Sequence, residues 1–148
     1  MGIAIRQLRP GDRQQWEPLW EGYNLFYERP DFSPAITQLT WERFLDPAEP
    51  MHAAVAELDG RIVGIVHYLY HRSTTAVEDV CYLQDLFTAP DARGRGVGRA
   101  LIEHVYDVAA KAGSRRVYWQ THEENPARKL YERVAQVTPF RRYVKELA

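Results

Sequence analysis

Cysteine is nearly absent from this sequence. Cys81 is the only one in 148 residues, which excludes an internal disulfide and suits a reducing compartment. No apolar run reaches the roughly 18–20 residues that a bilayer-spanning helix requires. The opening Met-Gly-Ile-Ala-Ile-Arg has no secretory hydrophobic core, and Arg6 stands where a myristoylation signal after Gly2 would want Ser or Thr. A cytoplasmic protein with no membrane attachment is therefore expected. Neither charge sign is in excess: 19 Lys and Arg stand against 20 Asp and Glu, a formal net charge of −1, which argues against a nucleic-acid binder. The histidines (His52, His67, His71, His104, His122) show no metal-ligand spacing with one another or with cysteine, so no metal is expected. Repeats, low-complexity tracts and linkers are also missing, and residues 1–148 are read as one domain.

What remains is ordinary globular material, 45% hydrophobic and 26% charged. Ile3, Ile5 and Leu8 suggest a first strand, broken by Arg9-Pro10-Gly11-Asp12. Asp12 and Gln15 resemble a capping box, and Trp16, Leu19, Trp20 and Tyr23 follow at helical spacing, with Pro18 expected to kink or divide the helix. Pro30, Pro34, Pro47 and Pro50 predict only a short helix between them, over 40–45. Segments 53–58 and 61–70 flank Asp59-Gly60 as a hairpin, and 79–87 reads as the next strand. Leu101, Val105, Val108 and Ala112 share one helix face ending at Gly113. A strand over 116–120, a helix over 126–134 and a last strand over 140–145 complete the order. The expected fold is a mixed α/β sheet, an antiparallel meander followed by a parallel crossover, with helices on both faces.

The most informative stretch is Leu86-Phe87-Thr88-Ala89-Pro90-Asp91-Ala92-Arg93-Gly94-Arg95-Gly96-Val97-Gly98-Arg99. A strand ends at Pro90, three glycines fall within five residues, and an amphipathic helix begins at once. Glycines allow close backbone approach and positive φ. A helix start offers unpaired N–H groups and the positive end of the dipole to phosphate, and Arg93, Arg95 and Arg99 add charge. The loop lacks the Gly-Lys-Ser/Thr ending of a P-loop, and its glycines do not fit the dinucleotide fingerprint.

Arg93-Gly94-Arg95-Gly96-Val97-Gly98 resembles the (Arg/Gln)-x-x-Gly-x-(Gly/Ala) signature of the GNAT superfamily of N-acetyltransferases. The preceding Leu86-x-Thr88-x-Pro90, together with Tyr82–Phe87 and Leu130-Tyr131-Glu132, is similar to segments of its polyamine- and histone-type members. The resemblance spans nearly the whole chain. It implies acetyl-CoA as co-substrate, with amides from Arg93 through Gly94, Arg95, Gly96, Val97 and Gly98 to Arg99 holding the pyrophosphate. It also implies that Leu86, Phe87 and Thr88 pair with the pantetheine arm, and that the amide of Phe87 or a neighbour polarises the thioester carbonyl.

Direct transfer to an amine needs a base for the ammonium proton and an acid for the departing sulfur. Tyr131 occupies the family's acid position. Gln84 stands where polyamine acetyltransferases often carry a glutamate, and an amide is no base. Asp85 is the candidate base, on the opposite sheet face from Gln84 if the strand is regular; Glu78, Asp79, His122 and a water relay are the alternatives. Asn125 lies one residue from the family's pantetheine-contacting asparagine, whose own place is taken by Glu124, and it competes for a helix-capping role. Val134-Ala135-Gln136 replaces the family's Gly-Phe. Tyr27, Glu28 and Asp31, with Gln84, are candidate contacts for a small-molecule or peptidyl cationic amine. Cys81 reads as a buried, inert thiol. A non-catalytic acyl-CoA-binding module is the competing function, and a homodimer is plausible from the family.

Overall fold

The computed structural model of the chain describes residues 2–148. Its sheet has five strands in the order β1 (Ala4–Gln7), β2 (Met51–Leu58), β3 (Arg61–His71), β4 (Val80–Thr88) and β5 (Val117–Tyr118). β1 through β4 pair antiparallel, and β5 joins β4 in parallel. Helices α1 (Arg13–Phe26) and α2 (Pro34–Leu45) connect β1 to β2, α3 (Val97–Lys111) links β4 to β5, and α4 (Arg128–Val134) follows β5.

The sheet is covered on both faces, and β3 shows how. Its residues from Ile62 to Tyr68 are all buried, the near-continuous apolar run of a strand sandwiched between layers. A Cβ built on Gly64 would point at Val97 and Leu101 of α3, whereas His67, an odd number of residues along, meets Trp16 and Trp20 of α1. Trp16, Leu19, Trp20 and Tyr23 form the buried stripe of α1. The helix runs unbroken through Pro18, whose ring lies on the solvent side; burial of four large side chains, each contributing about 1.5–3 kcal/mol, offsets the roughly 3 kcal/mol cost of proline.

Several expected boundaries shift. α2 starts at Pro34, well before residue 40, because Ser33 Oγ accepts the Ile36 N–H at 3.3 Å and proline suits the first helical position. The expected Asp12–Gln15 capping box does not form. The Asp12 carboxylate instead takes a two-pronged bond from Arg6 (2.8 and 2.9 Å), and Gln15 accepts the Ile62 N–H at 2.9 Å. The Arg6 guanidinium, also bonded to Glu57, holds the Asp12 carboxyl below its usual range. α4 begins at Arg128 rather than 126. The strand expected over 140–145 is absent: residues 136–148 carry no helix or strand, and Phe140, Tyr143 and Leu147 are each at least 90% exposed. β5 is only two residues long, so it offers almost no ladder on which a further strand could add.

Candidate active site

The site is organised by one irregularity in β4. Tyr68 pairs with Leu83 and His67 with Asp85, leaving Gln84 without a partner on β3. Such a bulge re-aims the side chains around it. In a regular strand Gln84 and Asp85 would face opposite ways; here both line one cavity of about 280 Å³, walled by α1, α2, β3 and β4.

Asp85 is held by a buried chain of donors. Trp16 Nε1–H donates to His67 Nε2 at 3.0 Å, and His67 Nδ1 lies 2.9 Å from Asp85 Oδ2. An indole nitrogen can only donate, so His67 Nε2 accepts and the ring proton sits on Nδ1, donated to the carboxylate. The two bonds thus fix the tautomer of a ring only 2% exposed and aim it at the Asp85 carboxylate. Tyr23 faces the same carboxylate; burial first, and then the Asp85 charge, push its phenol well above the ordinary value, so it too stays a donor.

On the other side of the bulge, β4 and β5 part company. They pair only at Cys81–Val117 and Tyr82–Tyr118, and from Leu83 to Thr88 that edge of β4 has no neighbouring strand among the described residues. The wedge between them is lined by Tyr23, Tyr27, Leu86, Trp119, Thr121 and Tyr131, and Gln84 lines this space as well as the larger cavity. Tyr131, on α4, meets Trp119 edge-on at 5.5 Å. Burial, with a smaller contribution from Tyr27, pushes its phenol up to about 12.

The glycine loop closes the wedge at the α3 end. Gly94 and Gly96 have φ of +80° and +82°, a left-handed backbone that other residues adopt only with strain, and a Cβ on either would meet nothing within 4 Å. Gly96 caps α3 without a side chain, and the helix ladder begins with Ala100 N–H to Gly96 O. The amides of Val97, Gly98 and Arg99 therefore have no partner within the helix, as an anion site requires. Arg93 lies over the Phe87 ring and donates to the Thr88 carbonyl at 3.3 Å, Arg99 pairs with Glu103, and Arg95 is exposed. The donors available suit a pyrophosphate and an extended amide chain.

Of the residues singled out from the sequence, the structure gathers Gln84, Asp85, Leu86, Tyr27 and Tyr131 around the two spaces. Phe87 is instead buried beneath Gly22 of α1, and its backbone pairs with Ile65 of β3. Glu28 and Asp31 are exposed and line neither space. Among the alternative bases, Glu78 and Asp79 pair with Arg115 and Arg72, and His122 accepts the Glu124 N–H; none lines either space. Asn125 spends its side chain internally, accepting the Ala127 N–H and donating to Thr121. Cys81 is fully buried, and burial pushes its thiol up to about 12, so it stays protonated. His67, Trp16 and Arg29 were missed. A polar residue inside the apolar run 62–68 was the available signal for His67; nothing in the sequence marked Arg29.

The chain matches the acetyltransferase (GNAT) family over residues 14–135. It belongs to that family. It is 37% identical over 139 residues to the D-amino-acid N-acetyltransferase of Saccharomyces cerevisiae, covering 92% of this chain and 86% of that protein. It is also 35% identical over 98 residues to the L-2,4-diaminobutyric acid acetyltransferase of Nocardia farcinica, covering 66% of this chain and 47% of that protein. The fold is shared with an aminoglycoside acetyltransferase, AAC(6')-Iy, solved with a CoA-linked bisubstrate analogue: TM-score 0.85, 20% identity, and full coverage of both chains. The protein is thus a GNAT N-acetyltransferase with acetyl-CoA as co-substrate.

Within this GNAT fold, Gly64 sets where α3 sits. A Cβ there would lie 2.6 Å from Val97 Cγ1 and 3.0 Å from Leu101 Cδ1. Gly64→Ala is expected to destabilise the protein by about 1–3 kcal/mol in urea unfolding. It should also weaken CoA binding measured by calorimetry if the unpaired amides at the start of the displaced helix hold the cofactor. Unchanged CoA affinity in a destabilised variant would detach that helix from cofactor binding.

Proposed function

We propose that the chain transfers acetyl from acetyl-CoA directly to the primary amine of a small molecule held in the cavity between α1, α2, β3 and β4. The observation that carries this reading is the Gln84 bulge, with Asp85 on the cavity side and Tyr131 on the wedge side. Acetyl-CoA supplies an activated acetyl thioester. The amides around Gly94–Arg99, with Arg93 and Arg95, hold its pyrophosphate, and the open edge of Leu86, Phe87 and Thr88 hydrogen-bonds its pantetheine arm. Asp85 takes one proton from the ammonium to free the amine, Tyr131 Oη gives one to the sulfur as the N–C bond forms and the C–S bond breaks, and the second proton that the nitrogen then loses restores the phenol. The buried, protonated Cys81 supports direct transfer over an acyl-enzyme. Asn125 acts on the wedge indirectly, by tying Thr121 to the start of α4.

The named activities of the relatives, on D-amino acids and on L-2,4-diaminobutyric acid, support a small acceptor over a protein. The test is thiol release from acetyl-CoA against amino acids, polyamines, lysine peptides and aminoglycosides, with calorimetric CoA binding alongside. Turnover on one class is the expected result; CoA binding without turnover on any would favour an acyl-CoA-binding module instead. We also propose that two copies associate through the apolar tail, where Val137, Phe140, Tyr143, Val144 and Leu147 are between 59% and 93% exposed. Deleting residues 137–148 is expected to convert a dimer to a monomer in sedimentation; a full-length monomer would overturn this.

A further inference from the structure

We propose that Arg29 reads a carboxylate on the acceptor, so that the substrate is an amine bearing a carboxylate, an amino acid, and not a polyamine or an aminosugar. This rests on the acetyl-transfer reading above and assigns the substrate class of the same cavity.

Arg29 is positioned by the way α1 ends. Its N–H bonds the Asn24 carbonyl at 2.8 Å and the Glu28 N–H bonds the Leu25 carbonyl at 3.0 Å, the paired closure of a Schellman turn. Glu28 at the turn has φ of +61°, a left-handed conformation normally left to glycine, which costs about 1–2 kcal/mol. The turn brings the side chain of Arg29 back over the helix. Its Nε donates to Asn24 Oδ1 at 2.9 Å, and Asn24, only 1% exposed, is itself anchored by donating to the Trp20 carbonyl. The guanidinium carbon then lies 5.9, 5.6 and 6.0 Å from the ring centroids of Tyr23, Tyr27 and Phe32.

Aromatic faces and a buried amide therefore hold the group, while its two terminal NH2 groups have no ion-pair partner among the described residues. Glu28 and Asp31 flank it in sequence, yet neither closes on it. Arg29 lines the same cavity as Asp85 and His67. A guanidinium is charged at every working pH, and its flat fork matches a carboxylate. A polyamine entering here would bring positive charge against fixed positive charge. An amino acid carries the charge complementary to each group that lines the cavity: a carboxylate for Arg29 and an ammonium for Asp85. The alternative is that Arg29 only steadies the negative end of α1, which would touch stability but not the choice of acceptor.

The experiment is steady-state thiol release by the full chain and by Arg29→Gln and Arg29→Lys. The acceptors are D- and L-amino acids, the carboxamides of the same amino acids, and spermidine. Wild type is expected to favour the free acids over their carboxamides by about 10-fold or more in kcat/KM. Arg29→Gln is expected to raise KM for the acids by about 10-fold to 100-fold, to leave KM for the carboxamides within about 2-fold, and to leave CoA affinity unchanged. Arg29→Lys should recover part of the loss, having the charge but not the fork. Carboxamides or spermidine serving wild type as well as the acids would overturn the assignment while leaving acetyl transfer standing. So would an Arg29→Gln loss spread evenly over all acceptors. Absence of turnover with every amine would overturn both readings. The acid-to-carboxamide ratio of wild type decides even if Arg29→Gln fails to fold.

Discussion

Tyr131→Phe is expected to lower kcat by about 10²-fold or more and to leave CoA affinity unchanged. Phenylalanine keeps the edge-on contact with Trp119 and removes only the hydroxyl. Because burial pushes the Tyr131 phenol up to about 12, the proton donor stays loaded across the working pH range. The sign follows: a raised phenol is lost as a donor only when pH climbs to its own high value, so it imposes no alkaline fall at ordinary assay pH. The rate should instead climb with pH as the acceptor amine sheds its proton. A wild-type pH profile falling near about pH 10, the ordinary ionisation of an unburied phenol, would contradict that loading. Unchanged turnover in the variant would remove Tyr131 from the mechanism.

Asp85→Asn should be as damaging, with a different signature. At neutral pH kcat/KM is expected to drop by about 10²-fold, since the amide cannot take a proton from the ammonium. The variant should recover as pH rises toward the amine's own ionisation, where a free amine needs no base. Asparagine can still accept the His67 Nδ1–H, so stability should change little and the loss is chemical. A pH profile superimposable on wild type would return the proton to a water relay. His67→Gln offers a further readout of the same chain: loss of orientation without loss of the base should lower kcat while keeping the shape of the pH profile.

Much of this was legible beforehand because it is local. The hairpin at Asp59-Gly60, the stripe Trp16, Leu19, Trp20 and Tyr23, and the loop from Arg93 to Arg99 are written in neighbouring residues, where glycine, proline and hydrophobic period act directly on the backbone. Errors clustered where distant partners decide. The tail from residue 136 has strand-like composition but no neighbouring strand to bond, and composition does not reveal a missing neighbour. The prolines between 30 and 50 predict only a short helix, whereas Ser33 before Pro34 makes that proline a helix start. Glu28 and Asp31 suit a cation by composition, yet they line neither space, and the turn after α1 sets the likewise exposed Arg29 at the rim of the larger cavity.

The sequence by itself determined the glycine loop and the order of the elements as far as α4, since each depends on residues within a few positions of one another; the proposed roles of that loop and of Tyr131 rest on the resemblance to the family. Tertiary structure alone decided which carboxylate serves the cavity and what oriented it. Asp85 enters because Gln84 bulges out of a pairing with β3, and His67 and Trp16 reach it from elements 18 and 51 residues apart from their partners. A bulge changes facing by one residue, and a buried hydrogen-bond chain forms only after the sheet and α1 have packed; neither leaves a periodic trace along the chain.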